Sequence, residues 1–144
     1  MNILKVDHIG IRVVDAKRAV EFYRLLGFEV MLEVDFDAVT IMTNTNGVEL
    51  NLVTNGETLL DDKNILMDMA QKYPGYTHIA LQVGSIVQIL EELAHHGIAI
   101  TQGPVTFGGN DVSVFIRDPD SNVIELRGHD QDLAAIPGLT QYRA

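Results

Sequence analysis

A chain of 144 residues with 47% apolar side chains can enclose a real core, yet no apolar run approaches the roughly 20 residues of a membrane-crossing helix. Twenty acidic against ten basic residues, a formal charge of −10, set its surface against phosphate backbones and anionic lipid, so neither nucleic acid nor membrane is an expected partner. There is no cysteine, which excludes disulfides and thiolate metal sites, and no basic-then-apolar leader is visible; a cytoplasmic protein is expected.

Residues 3–14 read as a strand. Asp15 can cap the helix that follows, where Ala19, Val20, Phe22, Tyr23, Leu25 and Leu26 recur at helical spacing until Gly27 stops it. Strands are predicted over 28–34, 38–43 and 48–54, with turns at 35–37 and 44–47. A polar connection, about 55–75, contains a short helical pattern in Ile65, Leu66, Met69 and Ala70 and closes at Pro74-Gly75. Then the order repeats. A strand over 76–84 leads to Ser85 and Gln88, a capping-box match in which each side chain would satisfy a loose backbone amide. Ile86, Ile89, Leu90, Leu93 and Ala94 mark the helix, and Gly97 ends it. Strands follow at 98–101, 111–117 and 122–127, with loops at Gly103-Pro104 and Phe107–Asn110, and the last residues read as a tail.

The chain is thus one domain with an internal repeat: module 1 at about 3–54, the connection, and module 2 at about 76–128. His8 precedes Gly27 by the same interval that separates His78 from Gly97, and "GVEL" at 47–50 matches "VIEL" at 123–126. Strand alternation puts Ile9, Ile11 and Val13 on one face and His8, Gly10 and Arg12 on the other. Likewise His78 opposes Ile79, Leu81 and Val83; Glu49 opposes Val48, Leu50 and Leu52; and Glu125 opposes Ile124 and Leu126. A lone strand histidine is more often a hydrogen-bonded core or surface residue, and a lone glutamate is usually solvated. Repetition of a histidine in the first strand and a glutamate in the last, away from the aliphatic face, makes His8, Glu49, His78 and Glu125 the candidate metal ligands. Imidazole and carboxylate donors suit Zn, Ni, Co, Mn or Fe(II). His95 and His96 sit at a helix C-terminus and read as structural, His129 as tail, and Met67 and Met69 as core or lid.

These residues carry a resemblance. "DHIGIRVVDAKRAVEFYRLLGFEV", "GVELNLV", "YTHIALQV" and "GPVTFGGNDVSVFIRDPDSNVIELRG" resemble the vicinal oxygen chelate superfamily (the glyoxalase–bleomycin resistance–dioxygenase family), and more narrowly its glyoxalase I, or lactoylglutathione lyase, branch. The similarity spans Val6 to Gly128, and "RDPDSNVIEL" is similar to the family's DPDG-x-x-IEL signature with Ser121 in place of glycine. The resemblance implies an α+β fold of two βαβββ modules, forming a curved, half-barrel mixed sheet with helices on its outer face. It places a divalent metal on His8, Glu49, His78 and Glu125, with Glu at the second position as in glyoxalase I. It implies proton transfer through a metal-stabilised enediolate of a small oxygenated substrate, such as a 2-oxoaldehyde thiol hemithioacetal. Glu125 is the first choice of catalytic base and Glu49 its partner, and Arg12 matches an arginine that contacts glutathione. Val53 stands where glyoxalase I usually has an asparagine, and "TFGGND" holds no lysine, so the thiol is read as glutathione or another. The resemblance further implies a homodimer. It also leaves open epimerase, extradiol dioxygenase or thiol-transferase chemistry, and a non-catalytic small-molecule-binding resistance protein.

Overall fold

Four strands and one helix make the first module. β1 (Ile9–Arg12) leads through Asp15 to α1 (Ala16–Leu25), followed by β2 (Glu29–Val34), β3 (Val39–Thr43) and β4 (Glu49–Val53). The same order returns in β5 (His78–Val83), α2 (Ile86–His95), β6 (Gln102–Thr106), β7 (Val112–Arg117) and β8 (Val123–Gly128), to which the chain adds β9 (Thr140–Gln141). This computed structural model describes residues 1–34, 36–58 and 60–144, less the side chain of Leu60. Asp35 of the predicted first turn and Leu59 of the connection lie outside the described residues. The fold is α+β, with two mixed sheets in the orders β1-β4-β3-β2 and β5-β8-β7-β6-β9. The chain divides into two units, 1–63 with 118–121, and 64–117 with 122–144.

In the first unit, the Asp15 carboxylate accepts the Arg18 amide at 2.7 Å, a cap of the kind that contributes about 1 kcal/mol. Ala19, Val20 and Tyr23 form the buried stripe of α1, and Ile11, Val13, Met42, Leu50 and Leu52 fill the core beneath. Gly27 takes φ +94°, as the predicted stop requires. Buried Tyr23 donates its hydroxyl to Asp118 at 2.8 Å, while Asp120 accepts the Val14 amide and the Arg18 guanidinium. Burial, with Asp118 close by, pushes the Tyr23 phenol well above its ordinary range. The "DPDS" turn therefore has a structural task. Its Ser121 sits at φ +64°, a conformation in which glycine carries no penalty, and its hydroxyl donates to the Asp62 carbonyl.

The second unit keeps the pattern with instructive departures. Ser85 accepts the Gln88 amide, but the Gln88 side chain bonds Glu92 rather than completing the predicted capping box. The predicted strand at 98–101 is not formed; β6 begins at Gln102 and runs through Gly103-Pro104. Its register against β7 slips between Gln102 and Val105, where proline has no amide hydrogen to give. No helix forms over Ile65–Ala70 either. Asn64 Oδ1 accepts the amides of Leu66 and Met67, and a single Asp68-to-Asn64 backbone bond closes one turn. The predicted tail instead folds back, with β9 pairing parallel to β6.

Candidate metal centre

In unit 1, β1 pairs parallel to β4 with Gly10 opposite Asn51. His8 immediately precedes β1 and Glu49 opens β4, which sets His8 Nδ1 3.9 Å from Glu49 Oε2. Asp7 Oδ1 lies 2.7 Å from the same nitrogen, and the hydrogen bond and charge of His8 hold the Asp7 carboxyl below its usual range. Asp7, His8 and Glu49 each offer a donor atom within 4.8 Å of the others. Sequence reasoning missed Asp7, although it adjoins His8. The alternation of β1 holds, with Ile11 and Val13 buried and Gly10 and Arg12 exposed. Arg12 donates through Nε to Asn55 Oδ1 at 3.1 Å. Two residues after Glu49 on β4, Asn51 has a buried Oδ1 without a hydrogen-bond partner among the described residues, a costly condition for a carbonyl oxygen unless something docks there.

Unit 2 brings its pair closer. β5 runs parallel to β8 with Ala80 opposite Glu125, so this ladder is shifted by one pleat from that of unit 1 while keeping the face. His78 Nε2 and Glu125 Oε2 are 3.0 Å apart. A carboxylate only accepts, so Nε2 carries the hydrogen in this arrangement, and Nδ1 accepts from Thr77 Oγ1 at 2.9 Å. Glu125 is buried. Ser113 donates to its Oε1 at 2.5 Å, and Arg127 Nη1 stands 3.6 Å from the same oxygen. Thr77 and Asp7 thus occupy matching places, each giving an oxygen to Nδ1 of the histidine it precedes. The donor sets fit a borderline-to-hard divalent cation: two imidazoles, carboxylates, no thiolate, and outer oxygens that orient the rings.

His78 also borders a cavity of about 400 Å³, shared with Phe115, Phe107, Tyr142, Met67 and Val123. Its ring meets Phe115 edge-on at 5.9 Å. Arg117 reaches the same cavity, but its Nη1 and Nη2 bond both oxygens of Asp68 at 2.5 and 2.8 Å. That pairing lowers the Asp68 carboxyl to about 2. His95 and His96 meet edge to face with ring centroids 5.2 Å apart, and His129 pairs with Asp111.

A repeated βαβββ module that sets one histidine beside one glutamate in each copy defines a class of two-module α+β proteins. The family model described as Glyoxalase/Bleomycin resistance protein/Dioxygenase superfamily matches residues 5–126, and the chain belongs to that superfamily. It is 27% identical to the glyoxalase domain-containing protein RDO1 of Mycosarcoma maydis, over 90% of this chain and 70% of the relative. It is also 27% identical to a lactoylglutathione lyase of Escherichia coli O157:H7, over 85% of this chain and 91% of that enzyme. Among solved structures, a glyoxalase/dioxygenase from Nostoc punctiforme shares the fold, with a TM-score of 0.69 at 22% identity, covering 86% of this chain and 90% of its own. No helix among the described residues is long and apolar enough to cross a membrane.

Proposed function

We propose that the chain is a metal-dependent, glyoxalase I-like lyase or isomerase, with His8, Glu49, His78 and Glu125 as the metal ligands. The observation that carries this reading is the approach of His78 to Glu125 at 3.0 Å, echoed by His8 and Glu49 at 3.9 Å in the other module. A divalent cation held there supplies Lewis-acid stabilisation of charge on two adjacent substrate oxygens. Glu125, or Glu49, takes a proton from one substrate carbon and returns it to the next. Ser113 orients Glu125 for that task, because its hydroxyl occupies Oε1 and leaves Oε2 toward His78. Arg12 offers a guanidinium to an anionic end of the cosubstrate, which is glutathione or another thiol. Exposed Ile3, Leu4 and Val6 ahead of the edge strand β1 support a homodimer as the working form.

The test begins with metal analysis of the purified protein, then stripping and return of Ni, Co, Zn or Mn. Activity is followed with methylglyoxal plus glutathione or other thiols. Metal-dependent isomerisation that disappears on replacing His8 and His78 by alanine is the expected result. Metal binding indifferent to both replacements removes the site. Metal binding without isomerisation on any thiol removes the lyase assignment, and oxygen uptake with catechols in that case marks dioxygenase chemistry.

A further inference from the structure

We infer that the C-terminal strand β9 is a specificity element, which selects an occupant bearing an aromatic ring or comparable apolar group beside its two chelating oxygens. This rests on the metal reading above and deepens it by naming the substituent.

The parallel ladder sets Thr140 opposite Val105 and Gln141 opposite Thr106, and the Tyr142 amide then donates to the Thr106 carbonyl at 2.9 Å. That last bond delivers the Tyr142 ring to Phe107, with centroids 5.0 Å apart and planes tilted by 39°. Both rings line the cavity that holds His78, and Phe107 and Tyr142 remain 46% and 48% exposed. Phe107 is braced from another side by the Arg127 guanidinium, 6.0 Å from its centroid. Large apolar surface left open on a cavity wall is surface that an occupant gains by covering. Phe115, Met67 and Val123 continue the apolar lining toward His78.

Charge points the same way. Arg117 is the cavity's guanidinium, and its two terminal nitrogens are already bonded to both oxygens of Asp68. A carboxylate-bearing substituent must displace Asp68 to be recognised there, whereas an apolar ring meets no such competitor. The ring subsite also adjoins His78, so a planar group attached directly to a pair of adjacent oxygens can meet both at once.

Two chelators that differ only in their substituent read this out by calorimetry on the Mn- or Co-loaded protein: benzohydroxamic acid and acetohydroxamic acid. Benzohydroxamate is expected to bind at least about tenfold more tightly than acetohydroxamate. In Tyr142→Ala and in Phe107→Ala that ratio falls to about threefold or less with metal content kept, while Tyr142→Phe preserves it. Equal affinities in the metal-loaded wild type overturn the inference and leave the metal reading standing, as does a preference that survives both alanines. A protein that retains no metal and binds neither hydroxamate overturns the metal reading, and this inference with it.

Discussion

His78 has a hydrogen-bond partner at each ring nitrogen, and the two partners would respond differently to a cation bound as proposed. A cation held at Nε2 would take the place of its hydrogen, and the neutral ring would then carry its hydrogen at Nδ1. Thr77 can follow that change, because a hydroxyl that donates to bare Nδ1 can equally accept from Nδ1–H. Ser113 does comparable work on Glu125 by fixing one carboxylate oxygen. Thr77→Val and Ser113→Ala are each expected to weaken metal binding by about tenfold or more without unfolding the protein. Competition against a metal-sensitive dye measures this, and unchanged affinity in both variants would show that neither residue orients a ligand. The proposed ligands stand out in the sequence because period-2 alternation separates His8, Glu49, His78 and Glu125 from their aliphatic neighbours. Ser113 was not. Its role depends on antiparallel pairing of β7 with β8, which sets Phe115 opposite Glu125 and Ser113 opposite Arg127, and no local pattern announces that register.

At the scale of elements, the helices and most strands follow from caps, stops and alternation, and one misreading falls where side chains outcompete the backbone. The apolar spacing of Ile65, Leu66, Met69 and Ala70 suggested a helix, yet Asn64 takes the first amides and Asp68 is drawn to Arg117 on β7. The segment is therefore held by an ion pair rather than by helical packing, and its stability should depend on pH. Asp68 is lowered to about 2 from an ordinary value near 3.8, chiefly by the Arg117 hydrogen bond. A carboxyl depressed on folding stabilises the native state above its unfolded value, and that contribution fades as pH falls through the folded one. Asp68→Asn should accordingly lower the melting temperature by an amount that is constant above about pH 4 and shrinks toward pH 2. Thermal scans of both proteins across that range decide it; a gap as wide at pH 2 as at pH 7 would refute the ion-pair account. Because the pair lies outside the proposed ligand set, metal content at neutral pH should match the wild type.

At the scale of the whole molecule, the repeat bears on how many ions the chain is expected to bind. Each contributes one histidine and one glutamate as proposed ligands, and two donors hold a divalent cation weakly when a stable site wants about four protein or solvent atoms arranged tetrahedrally or more. The sequence disclosed the repeat of elements through the matching intervals from His8 to Gly27 and from His78 to Gly97. It did not disclose that the two parallel ladders differ by a pleat, since register in a parallel pair is set by packing rather than by a turn. If the pairs act together, the chain binds about one ion, and losing either pair abolishes tight binding entirely. If they act separately, about two weak ions bind, and losing one pair removes half of them. Titration of His8→Ala, His78→Ala and the double variant by calorimetry separates these cases. Each single variant is expected to lose as much affinity as the double, a non-additivity that marks residues serving one site. Additive losses with half the stoichiometry in each single variant would instead make His8–Glu49, together with Asp7, a centre of its own.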